Sequence, residues 1–396
     1  MKRFIFSAIA IAAVATACTE SGLIDMPDFY ASEITFDPYI GKAPVTKAED
    51  IDADYLFDSS KEDPAFHVYA FLHKGVDASN NNAPIIDFRN PFMDKDVWFD
   101  PNAGESGAGV WRYDGLEYWP NTPLAFVAYN TDAESCITSH PSHTEFEFTV
   151  KDVIEDQVDL LITPFMPNQT DSDEGGNTNV NLVFKHVLSR IGFSVIPTSP
   201  SANVNIAIRS IKLYGTFPSV GTVDLTSNRD EVIIEATENT QATTEKRPYI
   251  TAKTGTNVDC YTLFDGNHCF EINSAACLSN NQIVAKPIYP NAELHVDQEK
   301  WSDRYVAMDE DEINPENRYM MLIPCNPGAD TYIEVEYQLT SDIKRTAKVQ
   351  LDNWVFKPGF AYEFILKVST DSIDFEAQMG GWTGSEAAAG PLIPLS

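Results

Sequence analysis

Residues able to do chemistry are thinly spread along this chain, and none falls in the spacing of a catalytic device. His140 and His143 are the imidazole pair closest in sequence, but Pro141 between them predicts a turn rather than a metal-binding face. Asp171-Ser172-Asp173-Glu174-Gly175 has the opening of a calcium loop without the bidentate Glu that closes one, so a solvated linker is expected there. Met308 to Glu312 reads likewise as a solvated acidic loop. The chain has no Gly-x-Ser-x-Gly elbow, no phosphate-cradling glycine loop and no His-Glu-x-x-His helix. Its 59 Asp and Glu residues make carboxylate pairs so common that none singles out a glycosidase site. No catalytic residue, metal or cofactor is expected.

Aromatic residues offer a different chemistry. Trp98, Trp111, Tyr113, Tyr118 and Trp119 are close enough in sequence to form a platform on which the apolar faces of sugars could stack. The competing reading is that these rings seal the core of a β-sandwich. His186, in the run Phe184 to Ile191, is expected as a hydrogen-bonded histidine of the core or its boundary. Five cysteines follow Cys18, an odd number that cannot pair completely. A disulfide among Cys260, Cys269 and Cys277 fits an oxidising compartment, and their spacing matches no zinc ribbon.

The compartment is read from the first residues. Lys2 and Arg3 precede an apolar stretch from Phe4 to Val14, which gives way to small residues ending at Cys18. This is the pattern of a secretion signal, and the apolar stretch is shorter than the ~20 residues of a membrane-spanning helix. Ala15-Thr16-Ala17-Cys18 resembles a lipobox, in which the Cys thiol is acylated, while cleavage at an Ala-x-Ala site is the alternative. Residues 1–17 are therefore expected as a signal peptide and Cys18 as the lipidated residue. The net charge is −32, which repels phosphate backbones and excludes nucleic acid as a partner.

Apolar residues alternate with polar ones in nearly every ordered-looking stretch, and helical periodicity is nearly absent. Residues 66–72, 124–129, 180–184, 191–196, 204–214, 332–339 and 360–368 read most clearly as strands, each bounded by turn formers. The expected fold is all-β, with too many strands for one sandwich and enough for two. Polar, turn-rich Met166 to Asn177 is the best linker, which divides the chain into 48–179 and 180–396.

Several segments together resemble the Bacteroidales fimbrillin family, the Mfa-like and FimA-like subunits of type V pili. They are Trp119-Pro120, Leu124 to Tyr129, Asp159-Leu160-Leu161, and above all Val183-Phe-Lys-His-Val-Leu-Ser-Arg-Ile-Gly-Phe193. Met321-Leu-Ile-Pro324, Ile333 to Tyr337, Pro358 to Leu366, Ile373-Asp-Phe375 and Trp382 continue the pattern in the same order. The resemblance implies two transthyretin-like Greek-key β-sandwiches in tandem and a structural or tip subunit of a fimbria that contributes to adhesion, not an enzyme. It also implies a lipid-anchored precursor at the outer membrane, cut by a trypsin-like protease and then polymerised with other fimbrial subunits by donor-strand exchange. A host or bacterial surface ligand would complete the list of partners.

On this resemblance, residues 18–47 form an anchor and a removable strand with Ile34 and Phe36 on one face. Lys47 is the expected cut, with Lys42 as the alternative. Ser372 to Met379 places Ile373, Phe375, Ala377 and Met379 on one face, as either a donor strand or a strand completing its own domain. Leu392, Ile393 and Leu395 give the tail an apolar tip that could plug a neighbour's groove. The rival function is a monomeric surface lipoprotein binding glycans through Trp98, Trp111 and Trp119.

Overall fold

A computed structural model describes residues 32–40, 65–104, 109–171, 179–198, 203–234, 243–273, 278–279, 282–283, 286–288, 319–339, 344–351, 354–369, 372–381 and 392–395. The first strands are β1 (Thr35–Ile40), β2 (Phe66–Asp77), β3 (Ala83–Ile86), β4 (Met93–Asp100), β5 (Val110–Tyr113) and β6 (Leu124–Asn130). After a 3-10 turn, Thr131–Cys136, come β7 (Ile137–Ser142), β8 (Glu145–Thr149), β9 (Leu161–Ile162), β10 (Met166–Gln169), β11 (Asn179–His186) and β12 (Ser189–Pro197). Long strands follow: β13 (Asn203–Pro218), β14 (Val220–Ile234), β15 (Thr243–Ala252) and β16 (Asn257–Asn273). The short β17 (Leu278–Ser279), β18 (Gln282–Ile283), β19 (Lys286–Pro287) and β20 (Met320–Leu322) precede β21 (Tyr332–Leu339), β22 (Lys344–Gln350), β23 (Phe360–Val368), β24 (Ile373–Gly381) and β25 (Leu392–Leu395). The all-β expectation holds, and among the described residues no helix is long and apolar enough to cross a membrane.

The largest sheet has nine strands in the order β1-β11-β9-β6-β2-β4-β5, with β10 on β6 and β3 on β2. Alternation along its strands sends side chains to two interiors. Phe66, Val68 and Ala70 of β2 join Leu124, Phe126 and Ala128 of β6 in one cluster, while Tyr69, Phe71, Val127 and Tyr129 belong to another. Every residue of β6 is buried, as expected of a strand covered on both faces. The second cluster is closed by the sheet β15-β14-β8-β7, through Phe146, Phe148, Val223 and Ile250.

A third cluster fills the space between the sheets β19-β12-β23-β24-β25 and β16-β13-β21-β22. Phe193 of β12 meets Phe364 of the parallel neighbour β23, their ring centroids 5.4 Å apart. Ile211, Leu213, Ile333 and Val335 face them from the opposite sheet.

The sheets do not divide at residue 180. β11 pairs with β1 and β9, and β14 pairs with β8, so strands from the second half complete the sheets of the first. Met321, Ile323 and Ala361 also enter the cluster built on β2 and β6. The expected linker begins with β10, which pairs with β6 through a shifted register and has no fully buried side chain, so no apolar alternation marks it in the sequence. Residues 172–178 lie outside the described residues.

Candidate functional site

β1 carries the site. Ile34, Phe36 and Pro38 turn inward at every second residue, and Ile34 and Phe36 are 0% and 5% exposed. Phe36 meets the rings of Phe66, Tyr113 and Phe126 edge-on, at 6.0, 5.8 and 6.3 Å between centroids. Burying a side chain of this kind stabilises the fold by roughly 1.5–3 kcal/mol, and edge-on rings add to it.

β1 is hydrogen-bonded along one side, and the residues just before it are hydrogen-bonded on the other, each to a remote part of the chain. One side lies parallel to β11, with Phe36, Pro38 and Ile40 in register with Val180, Leu182 and Phe184. At its N-terminal end the other side meets the segment after β5. Ile34 N–H donates to Glu117 O at 2.9 Å, and Trp119 N–H donates to Ser32 O at 3.0 Å. The Tyr113 hydroxyl donates to Ile34 O at 2.7 Å, and burial pushes its pKa up to about 12. Ser32 Oγ donates to Asp171 Oδ2 at 2.5 Å. β1 thus closes the gap between β11 and the 117–119 segment. Without it, Phe66, Tyr113, Phe126 and Phe184 would line an open groove flanked by unpaired backbone groups.

Ile34, just before β1, and Phe36 within it share one inward face, as the alternation requires. Cys18, Lys42 and Lys47 lie outside the described residues, and Lys47 falls in the sequence between β1 and β2. Ile373, Phe375 and Ala377 are buried, and Met379 packs beside them in the core of their own sandwich. Their strand, β24, pairs with β23 on one side and β25 on the other, so within this chain it completes its own sheet. β25 is the edge strand of that sheet, bonded among the described residues to β24 alone.

The aromatic platform is not formed. Trp119 is 7% exposed and meets Phe126 edge-on at 5.8 Å, inside the cluster that holds β1. Trp111 is half-buried against Phe66 and Phe99, at 5.3 and 5.2 Å. Trp98 neighbours inward-facing Val97 and pairs across the strands with Arg112, so it points to the opposite face of the sheet from Trp111. The three rings therefore do not share one face of the sheet, and Trp111 and Trp119 pack on the cluster that holds β1.

The histidines also separate. His140 sits on the edge strand β7 beside Phe146, whereas His143 packs against Tyr69, so the two do not converge. His186 is buried with its Nδ1 at 2.6 Å from Asp159 Oδ2, a pair that ties the end of β11 to the segment before β9. Cys136, Cys260 and Cys325 carry free thiols, so Cys260 forms no disulfide.

Sequence reasoning did not find Ser32, Tyr113 or the 117–119 backbone as the seat of β1. The alternation of Val180, Leu182 and Phe184 was the available signal for its parallel mate. Missed as well was a surface group formed by His67, Asp94, Asp96 and Glu134, whose members come from three elements.

A fimbrial protein from Bacteroides vulgatus ATCC 8482 superposes with a TM-score of 0.51 at 17% identity, covering 89% of this chain and 100% of that one. A protein assigned to cell adhesion from Bacteroides uniformis ATCC 8492 gives 0.44 at 11% identity, covering 89% of this chain and 98% of its own. A fimbrial assembly protein from Parabacteroides distasonis ATCC 8503 gives 0.33 at 8% identity, with coverages of 83% and 92%. No curated protein sequence matches. The family model described as fimbrillin-like matches residues 58–382, most of the sequence and nearly all of its strands. The chain belongs to the fimbrillin-like family, whose members are fimbrial subunits and not enzymes.

Proposed function

We propose that the chain is a structural or tip subunit of a fimbria, made as a lipoprotein precursor and assembled by donor-strand exchange. Membership of the fimbrillin-like family supports a position at the cell surface and assembly with other fimbrial proteins. In this reading Cys18 anchors the precursor in the outer membrane and β1 holds the place of a strand that a neighbouring subunit supplies. A trypsin-like protease cuts after Lys47, between β1 and β2. The observation that carries the reading is the seat of β1, which lies at the end of its sheet with Ile34 and Phe36 in the core. An incoming strand with alternating apolar side chains would satisfy the same backbone groups and fill the same groove.

The donor is assigned to the C-terminal tail. The tail strand β25 can leave its sheet by breaking one ladder, whereas β24, with Ile373, Phe375, Ala377 and Met379, would have to break two and empty part of its own core.

The test is limited trypsin digestion of the unlipidated chain beginning after Cys18, with the new N-terminus read by mass spectrometry and the product run unboiled on a denaturing gel. A single cut after Lys47, followed by a ladder of detergent-resistant oligomers, is expected. Lys47→Ala, alone and with Lys42→Ala, should abolish both. A chain cut at Lys47 that stays monomeric would sink the reading.

A further inference from the structure

The face of the large sheet away from β1 carries a polar group that assembly does not use. On β2 and β4, His67 stands opposite Asp96 and Tyr69 opposite Asp94, and β6 sets Tyr129 beside His67, so all five side chains share one face. Glu134 reaches the same place from the 3-10 turn Thr131–Cys136 that follows β6. One ligand atom from each of His67, Asp96 and Glu134 lies within 4.8 Å of the others. His67 Nδ1 is 2.6 Å from Asp96 Oδ1, and Nε2 is 3.0 Å from Asp94 Oδ1.

The group has the shape of a cup. Its floor is the imidazole, 12% exposed, wedged against the rings of Tyr69 and Tyr129 at 4.5 and 5.5 Å. Its walls are the carboxylates, with Asp94 and Asp96 48% and 52% exposed, which leaves the mouth open to solvent. Among the described residues no Lys or Arg pairs with Asp94, Asp96 or Glu134, so three carboxylates converge on one imidazole without a fixed cation. The inner nitrogen, Nε2, is buried and makes no aligned hydrogen bond among the described residues, although Asp94 is within ion-pair distance.

We propose that His67, Asp96 and Glu134 bind a divalent first-row transition cation, with Asp94 set against the ring nitrogen of His67 that faces away from Asp96. One imidazole nitrogen with carboxylate oxygens is a donor set that Zn2+ accepts, whereas Ca2+ and Mg2+ sites are built from oxygen alone. The ion would replace the direct contact of His67 with Asp96 by coordination and offset the charge of the carboxylates, while Asp94 on the other ring nitrogen would hold the imidazole in place. Bound there, it clasps β2, β4 and the turn after β6. The proposal is independent of how β1 is processed, because none of these residues touches the groove.

The test is calorimetric titration of the EDTA-stripped full chain with ZnCl2, with MgCl2 in parallel, and Co2+ as a spectroscopic probe. A single Zn2+ per chain is expected, with a raised thermal midpoint, no response to Mg2+, and visible Co2+ bands of nitrogen and oxygen ligation. Asp96→Asn and Glu134→Gln change exposed side chains at constant shape. Each should weaken Zn2+ binding about 10-fold or more while leaving the metal-free thermal midpoint in place. His67→Ala should remove the Co2+ bands, and His143→Ala should not. Absence of Zn2+ binding would overturn the proposal and leave His67 as an ion-pair partner of the aspartates. Binding that survives Asp96→Asn and Glu134→Gln together, or that is lost with His143→Ala alone, would overturn it as well.

Discussion

Phe36 touches three rings of the core from a strand that, in the proposed pathway, is discarded, so one substitution should have two different outcomes. In the intact chain Phe36→Ala removes a buried ring and leaves a cavity between Phe66, Tyr113 and Phe126, at a cost of about 3–5 kcal/mol. Urea unfolding of the uncut chain should report that loss as a lower midpoint. Once the chain has been cut and assembled, the residue is gone, and oligomers from both versions should resist heat and detergent equally. If the assembled variant is as weak as its precursor, Phe36 is a permanent core residue and β1 is not a placeholder. The inward pair Ile34 and Phe36 is legible in the sequence because strand alternation is local. The Tyr113 hydroxyl that holds Ile34 O is not, because Tyr113 and Ile34 lie 79 residues apart and their contact leaves no local pattern.

At the level of elements, legibility follows burial. β6, β12, β21 and β23 are apolar runs or clean alternations and can be read directly, since each packs on a core. β4 and β5 are harder, because Asp94, Lys95 and Asp96 interrupt β4 with exposed or half-exposed charge. β14 reads as two short pieces around Ser227-Asn228-Arg229 yet runs unbroken from Val220 to Ile234, its register slipping where it pairs with β15. Sheet order is not in the sequence at all: nothing local says that β1 lies parallel to β11 or that β14 joins β8. The last two strands differ in the same respect. β24 shows its buried alternation and is bonded on both sides, whereas β25 lies on one ladder at the edge. Ending the chain at Gly390 should therefore leave a folded subunit, its thermal midpoint lowered by only a few degrees, since ~1 kcal/mol shifts a domain of this size by roughly 2–4 °C. The same truncation should stop ladder formation after cleavage at Lys47, read on unboiled gels. A truncated chain that still ladders would place the donor strand elsewhere.

On the scale of the whole molecule, a net charge of −32 opposes the association that the fold is proposed to carry out. Two such subunits repel over a distance set by ionic strength, about 30 Å at 0.01 M and about 8 Å at 0.15 M. Strand exchange itself is driven by short-range contacts, namely main-chain hydrogen bonds and apolar side chains entering the groove between β11 and the 117–119 segment, and these respond weakly to salt. Charge should therefore act on the encounter and not on the final bond. The rate at which cut subunits enter the ladder should rise severalfold when NaCl is raised from 0.01 to 0.15 M, while oligomers already formed stay equally resistant to detergent at both concentrations. Densitometry of timed, unboiled samples measures both quantities in one experiment. A rate that falls with salt would mean that opposite charges steer the subunits together, contrary to uniform acidic repulsion. A loss of resistance in low salt would mean that ion pairs, and not the exchanged strand, hold the polymer together.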